Sequence, residues 1–149
     1  MSLFSGLNIS ATGLTANRLR MDVVSSNIAN ANTNRAELVD GEWVPYRRKT
    51  VELSTADASP FAKQLSSAMG QNAGGGVKAS AIREDQTPFP VTYNPEHPDA
   101  DAEGYVRTSN VDPIQEMVDL MSATRSYEAN VTAMNASKSM FMKALEIGK

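Results

Sequence analysis

The residues with the most chemical promise lie in Asp99-Ala100-Asp101-Ala102-Glu103-Gly104, which spaces three carboxylates as in the first half of a calcium loop, with glycine at the sixth position. Such a loop closes with a bidentate glutamate at its twelfth position. Here that position is Asn110, the ninth is Arg107, and prolines stand where a helix should enter. The stretch reads as a solvated acidic turn. Arg47-Arg48-Lys49 has the charge to meet phosphate, but Glu37, Asp40, Glu42 and Glu52 offset it and no aromatic stacking pattern accompanies it. A charged, exposed strand edge is the simpler reading. Gly74, Gly75 and Gly76 lack the Lys-Ser/Thr that completes a phosphate loop, and His97, between Pro95 and Pro98, reads as a surface residue.

With one histidine and no cysteine, the chain has no disulfide, no thiolate metal site and no cysteine nucleophile, and little room for an imidazole-based triad. No catalytic residue, metal ligand or cofactor site is expected, and the chain reads as a protein that is not an enzyme. The 14 basic and 17 acidic residues give a net charge of -3, which disfavours a surface built to hold nucleic acid. No apolar run reaches the roughly 20 residues of a membrane-spanning helix, so no integral membrane protein is expected. The N-terminus shows no ordinary secretory signal.

The elements that position these residues follow from proline and from apolar spacing. All seven prolines fall between Pro45 and Pro113, so long helices are confined to the two ends. In the first segment Leu7, Leu14, Met21 and Ile28 recur every seven residues, with Val24 and Ala31 three after the last two, an a/d heptad seam. The run Ala29-Asn-Ala-Asn-Thr-Asn34 is suited to ending that helix. The last segment opens with Asp112 as a cap, Pro113 at the first helical position and Gln115 placed for a capping box. Its seam reads Met117, Leu120, Thr124, Tyr127, Val131, Met134, Lys138, Phe141 and Leu145. A helix of about 35 residues, on the order of 50 Å long, needs cover from other helices or other chains.

The fold class expected is mainly α with a small β region: long N- and C-terminal helices pairing as a coiled coil, and a central domain rich in β-hairpins. Residues 1–35 and 111–149 form an inner helical domain in this reading, and 36–110 a β-rich domain. Strands are expected at Glu42–Tyr46, Lys49–Leu53, Val77–Ile82 and Val91–Tyr93, with Asp40-Gly41 as a turn. Residues 54–76, rich in Ser, Ala and Gly, read as a flexible insertion with one weak helical turn around Phe61 to Met69.

Several stretches resemble one family. Ser26-Asn27-Ile28-Ala29-Asn30-Ala31-Asn32-Thr33 is similar to the Ser-Asn-x-Ala-Asn-x-x-Thr element of rod, hook and hook-associated subunits, the axial proteins of the bacterial flagellum. Pro45-Tyr46-Arg47, Tyr93 to Val106, Asn110 to Val118, Met121 to Asn130 and Lys138 to Gly148 resemble, more narrowly, the FlgC family of basal-body rod proteins. The resemblance covers residues 1–53 and 76–149. It departs over 54–75, longer than in short members, and at His97, where asparagine is more usual.

The resemblance implies a structural subunit that polymerises into the proximal rod, which transmits torque across the periplasm and serves as an export channel. It implies export through the flagellar type III apparatus on an uncleaved signal. The partners it implies are that apparatus, the other proximal-rod proteins, the rod-to-ring adaptor and the distal rod protein. Another rod or hook subunit and a soluble coiled-coil adaptor are the alternatives.

Overall fold

The computed structural model describes residues 3–56, 64, 68 and 75–147. Mainly α with a small β region, the described residues form α1 (Leu3–Ala29), six strands, and α2 (Pro113–Ile147). The strands are β1 (Glu37–Val39), β2 (Glu42–Val44), β3 (Lys49–Thr55), β4 (Val77–Glu84), β5 (Val91–Tyr93) and β6 (Tyr105–Arg107).

Local chemistry sets the boundaries. α1 ends at Ala29, where the expected Asn-rich run begins. The Asn30 side chain donates to the Ser26 carbonyl at 2.9 Å, and the Asn30 amide to the Ser26 and Asn27 carbonyls. α2 starts as expected: Asp112 Oδ1 accepts from the amides of Ile114 (2.9 Å) and Gln115 (3.4 Å), and proline occupies the first helical position, where no donor is needed.

Each sheet is two-stranded. β1 and β2 form an antiparallel hairpin with Leu38 opposite Trp43, closed by Asp40 (φ 52°) and Gly41 (φ 87°), the left-handed pair that a two-residue turn of this hand demands. β5 and β6 are antiparallel with Tyr93 opposite Tyr105, their rings 5.3 Å apart and edge-on. β3 pairs with β4.

β1 and β6 were not expected from the sequence. At three residues each, and with only Val106 buried, they carry too few side chains for alternation to show. The insertion expected over 54–76 lies largely outside the described residues; within it Gln64 and Ala68 are helical and exposed.

The chain divides into two units. One comprises Met1–Leu19, Glu52–Ala81 and Ala123–Lys149, and among its described residues the buried side chains are the small Ser10, Ala16 and Ala123. The other comprises Arg20–Val51 and Ile82–Ser122 and buries Val24, Val106 and Val111 with the polar Asn27, Ser109 and Glu116.

Candidate functional site

In the second unit, three segments far apart in sequence converge on one buried polar cluster. Asn27 comes from the last turns of α1, Tyr46 to Lys49 from the link between β2 and β3, and Glu116 from the first turn of α2. Asn27 and Glu116 are both fully buried. A polar group taken out of water needs every partner it can find, and Asn27 finds four. Its Nδ2 donates to the Lys49 carbonyl (2.8 Å) and to Glu116 Oε2 (2.9 Å), while its Oδ1 accepts from the Lys49 amide (2.9 Å) and the Tyr46 hydroxyl (3.1 Å).

The other Glu116 oxygen accepts from Arg48 Nε at 2.5 Å. Arg48 also reaches Asp119 Oδ2 (3.3 Å) and Asp85 Oδ2 (3.7 Å), and its amide donates to Asn110 Oδ1 (2.8 Å). Burial alone would lower the Arg48 pKa, but the hydrogen bond to Glu116 and the charges of Glu116, Asp119 and Asp85 outweigh it and hold the guanidinium above its ordinary value. Asp119 takes a second cation, Arg20, at 3.1 Å.

The basic triplet therefore differs from the exposed edge expected of it. Arg47 lies over the Phe89 ring at 4.3 Å, Arg48 sits among three carboxylates, and Lys49 lies 5.7 Å from the Tyr46 ring centre. The acidic turn is organised by its own backbone. Asp101 Oδ1 accepts from the amides of Glu103 (3.0 Å) and Tyr105 (2.8 Å), and Asp99 pairs with Arg35 and lies 3.7 Å from His97. Among the described residues no cluster of three or more acidic, histidine or cysteine side chains is placed to hold a metal ion, and no helix is long and apolar enough to cross a membrane.

Two family models match this chain. "Flagella basal body rod protein" covers residues 7–36 and "Flagellar basal body rod FlgEFG protein C-terminal" covers 102–147. The chain is also 62% identical over 151 residues to the flagellar basal-body rod protein FlgC of Bacillus subtilis (strain 168), with 100% of both chains covered. The chain belongs to the FlgC family of flagellar basal-body rod proteins. The FlgC proteins of Borreliella burgdorferi (44% identical over 153 residues, 99% of this chain and 98% of the relative) and Salmonella typhimurium (42% over 149 residues, 100% of both) are further relatives. It is a structural protein of the flagellar rod.

In this FlgC-family chain the signature residues surround the cluster. Asn27 is its centre, Ser26 Oγ lies 3.4 Å from the Tyr46 hydroxyl, Thr33 Oγ1 donates to Asn30 Oδ1 (3.3 Å), and the Thr33 carbonyl accepts from the Tyr46 amide (3.0 Å). Ala29 is exposed. Of the residues placed in the N-terminal seam, Val24 is buried and Leu7, Leu14, Met21 and Ile28 are half-buried.

Of those placed in the C-terminal seam, Leu120, Tyr127, Val131, Met134 and Phe141 are half-buried, while Met117 (50%) and Leu145 (70%) are exposed. Thr124 and Lys138, the polar positions of that seam, are exposed too. The sheltered positions between the large side chains stand one residue earlier: Glu116 and Ala123 are fully buried, and Asn130 and Ser137 half-buried.

The reason is side-chain size. In the first unit the closest neighbours of α1 glycines are these residues: a Cβ on Gly13 would stand 3.0 Å from Asn130 Oδ1, and one on Gly6 3.9 Å from Ser137 Oγ. Each step of seven along α1 is matched by seven back along α2, so these segments run antiparallel. Gly6, Gly13, Asn130 and Ser137, all seven-spaced within their helix, were the available signal. The bulky residues beside them carry the stronger heptad pattern.

Proposed function

We propose that this subunit polymerises with the other proximal-rod proteins into the tube that transmits torque across the periplasm and encloses an export channel. The rod-to-ring adaptor and the distal rod protein bound it at its two ends, and it reaches its place through the flagellar type III apparatus with its N-terminal signal uncleaved. In this reading residues 1–35 and 111–149 pair as a coiled coil in the inner layer, and the β-rich residues 36–110 face outward. Leu7, Leu14, Met21, Val24 and Ile28 on α1, and Met117, Leu120, Tyr127, Val131, Met134, Phe141 and Leu145 on α2, carry assembly.

The observation that carries this proposal is a long helix with many exposed apolar side chains. Ile114, Met117, Met121, Met140, Leu145 and Ile147 are 50–85% exposed on α2. Water-exposed apolar groups at this density on one helix are what neighbouring subunits bury. Cells carrying Met117→Asp or Leu145→Asp should make and export a stable subunit yet build no rod and fail to swim. Normal basal bodies in both variants would sink this assignment.

A further inference from the structure

We propose that Asn27, Arg48 and Glu116 form a lock that makes Arg20–Val51 and Ile82–Ser122 fold as one cooperative block in the free subunit, before any neighbouring subunit is present. The proposal does not depend on which surfaces assemble. It gives the central asparagine of the Ser26 to Thr33 element a task inside its own chain.

Glu116 carries a fully buried carboxylate. A carboxylate in a dry site without partners is among the most costly groups a fold can carry. Its two partners, Asn27 and Arg48, lie 89 and 68 residues away in sequence. The first turn of α2 therefore cannot shed its water until both the end of α1 and the β2–β3 link have arrived.

The dependence runs the other way too. Asn27 uses both donors and both acceptor positions, and two of the four bonds go to the Lys49 backbone. Removing α2 from the block would strand one Asn27 donor, and removing the link would strand the rest. Arg48 adds a fourth segment: Asn110, which accepts its amide proton, donates to Thr87 Oγ1 at 2.9 Å and to the Asp85 carbonyl at 3.3 Å, while Asp85 itself faces the guanidinium. A satisfied polar network of this kind strengthens as it completes and penalises every partial form.

In the first unit, by contrast, the buried side chains among the described residues are Ser10, Ala16 and Ala123, all small and uncharged. Among the described residues, none of these buried groups forbids partial unfolding to a comparable degree. The free subunit should accordingly hold the lock while the helix segments Leu3–Leu19 and Ala123–Ile147 open.

Hydrogen exchange on the isolated chain, read by mass spectrometry, tests this. The wild type should show slow exchange in peptides covering 20–30, 44–51 and 110–122, and exchange at least about tenfold faster in 6–18 and 124–146. Asn27→Ala should speed exchange in all three slow peptides together.

Because that variant could unfold the chain outright, Glu116→Gln and Asn27→Ala/Glu116→Gln complete a cycle, in which opening constants should fall short of additivity by roughly fivefold or more. Loss of protection in one peptide while the other two keep the wild-type rate would overturn the lock. So would additivity in the cycle, or a free chain whose helix tips exchange as slowly as the lock.

Discussion

Asn27 and Glu116, 89 residues apart in sequence, meet through a 2.9 Å hydrogen bond with both side chains fully buried. That contact joins the family signature on α1 to the first turn of α2. It also explains why the signature holds an asparagine, since only a side chain with donors and acceptors on one planar group can serve Lys49, Tyr46 and Glu116 at once.

Arg48 is the cation of that cluster, and its planar fork is what lets it face Glu116, Asp119 and Asp85 together. A lysine keeps the charge as a single point and reaches fewer of them. Arg48→Lys is expected to lower unfolding stability by about 1–3 kcal/mol, and Arg48→Met by more because it leaves Glu116 buried without its cation. Urea titration followed by circular dichroism measures both, and equal stability of Arg48→Met and wild type would mean that the cluster is energetically idle.

These partnerships were invisible in the sequence for a physical reason. Glu116 stands in a run that reads locally as a helix start, and Arg48 in a run that reads as a charged strand edge; what pairs them is chain reversal over 68 residues. Helix ends were legible because capping is local: Asp112-Pro113 and the Asn-rich run after Ala29 act within four residues of themselves. The β1–β2 hairpin was half legible, its turn announced by Asp40-Gly41 and its first strand too short to announce itself.

Asp85 responds to acid. The Thr87 amide donates to its carboxylate at 2.9 Å and is the main cause that holds its pKa below the ordinary 3.8; burial opposes this, and the Thr87 hydroxyl and Arg48 add to it. Since the folded value lies below the unfolded one, the contribution is complete above about pH 4 and disappears as pH falls through the folded value. Asp85→Asn should therefore shallow the acid limb of the stability curve below pH 4. An acid limb as steep as that of the wild type would place the titration elsewhere.

Gly76 precedes β4 in the first unit and lies against α1. A Cβ there would collide with the Thr12 side chain, whose hydroxyl accepts the Val77 amide at 3.1 Å and donates to the Ile9 carbonyl at 2.7 Å. Gly76→Val should cost roughly 1–3 kcal/mol by forcing the strand off the helix. In the variant, Thr12→Ala should then be less damaging than in the wild type; a thermal melt unchanged by Gly76→Val would rule out the close approach.

Asp101 uses its carboxylate to order the turn between β5 and β6, accepting two backbone amides with one oxygen. Asp101→Ala should destabilise that hairpin by roughly 0.5–1.5 kcal/mol, and Asp101→Asn, which keeps the acceptor, by less. Added calcium should leave the melting temperature of the wild type unchanged, because the oxygen that would bind it is already occupied and no glutamate stands at Asn110 to close the shell. A saturable rise in melting temperature with calcium, lost in Asp101→Ala, would reverse this.

The register of α2 is tested by two neighbouring residues. Ala123 is fully buried in the first unit, one residue before Thr124, which is exposed although the bulky-residue spacing places it in the seam. A helix turns 100° per residue, so the two point in distinct directions and a carboxylate at each meets a different environment. Ala123→Glu must bury an unpaired charge where only a methyl fits, at a cost of about 3 kcal/mol or more, and should unfold at markedly lower urea. Thr124→Glu keeps its charge in water and should change stability of the free chain by no more than about 0.5 kcal/mol. If Thr124 meets a neighbouring subunit in the rod, the second variant will fold normally and still fail to support motility, which separates packing within the chain from packing between chains. Equal destabilisation of the free chain by the two substitutions would show that neither residue marks the sheltered face.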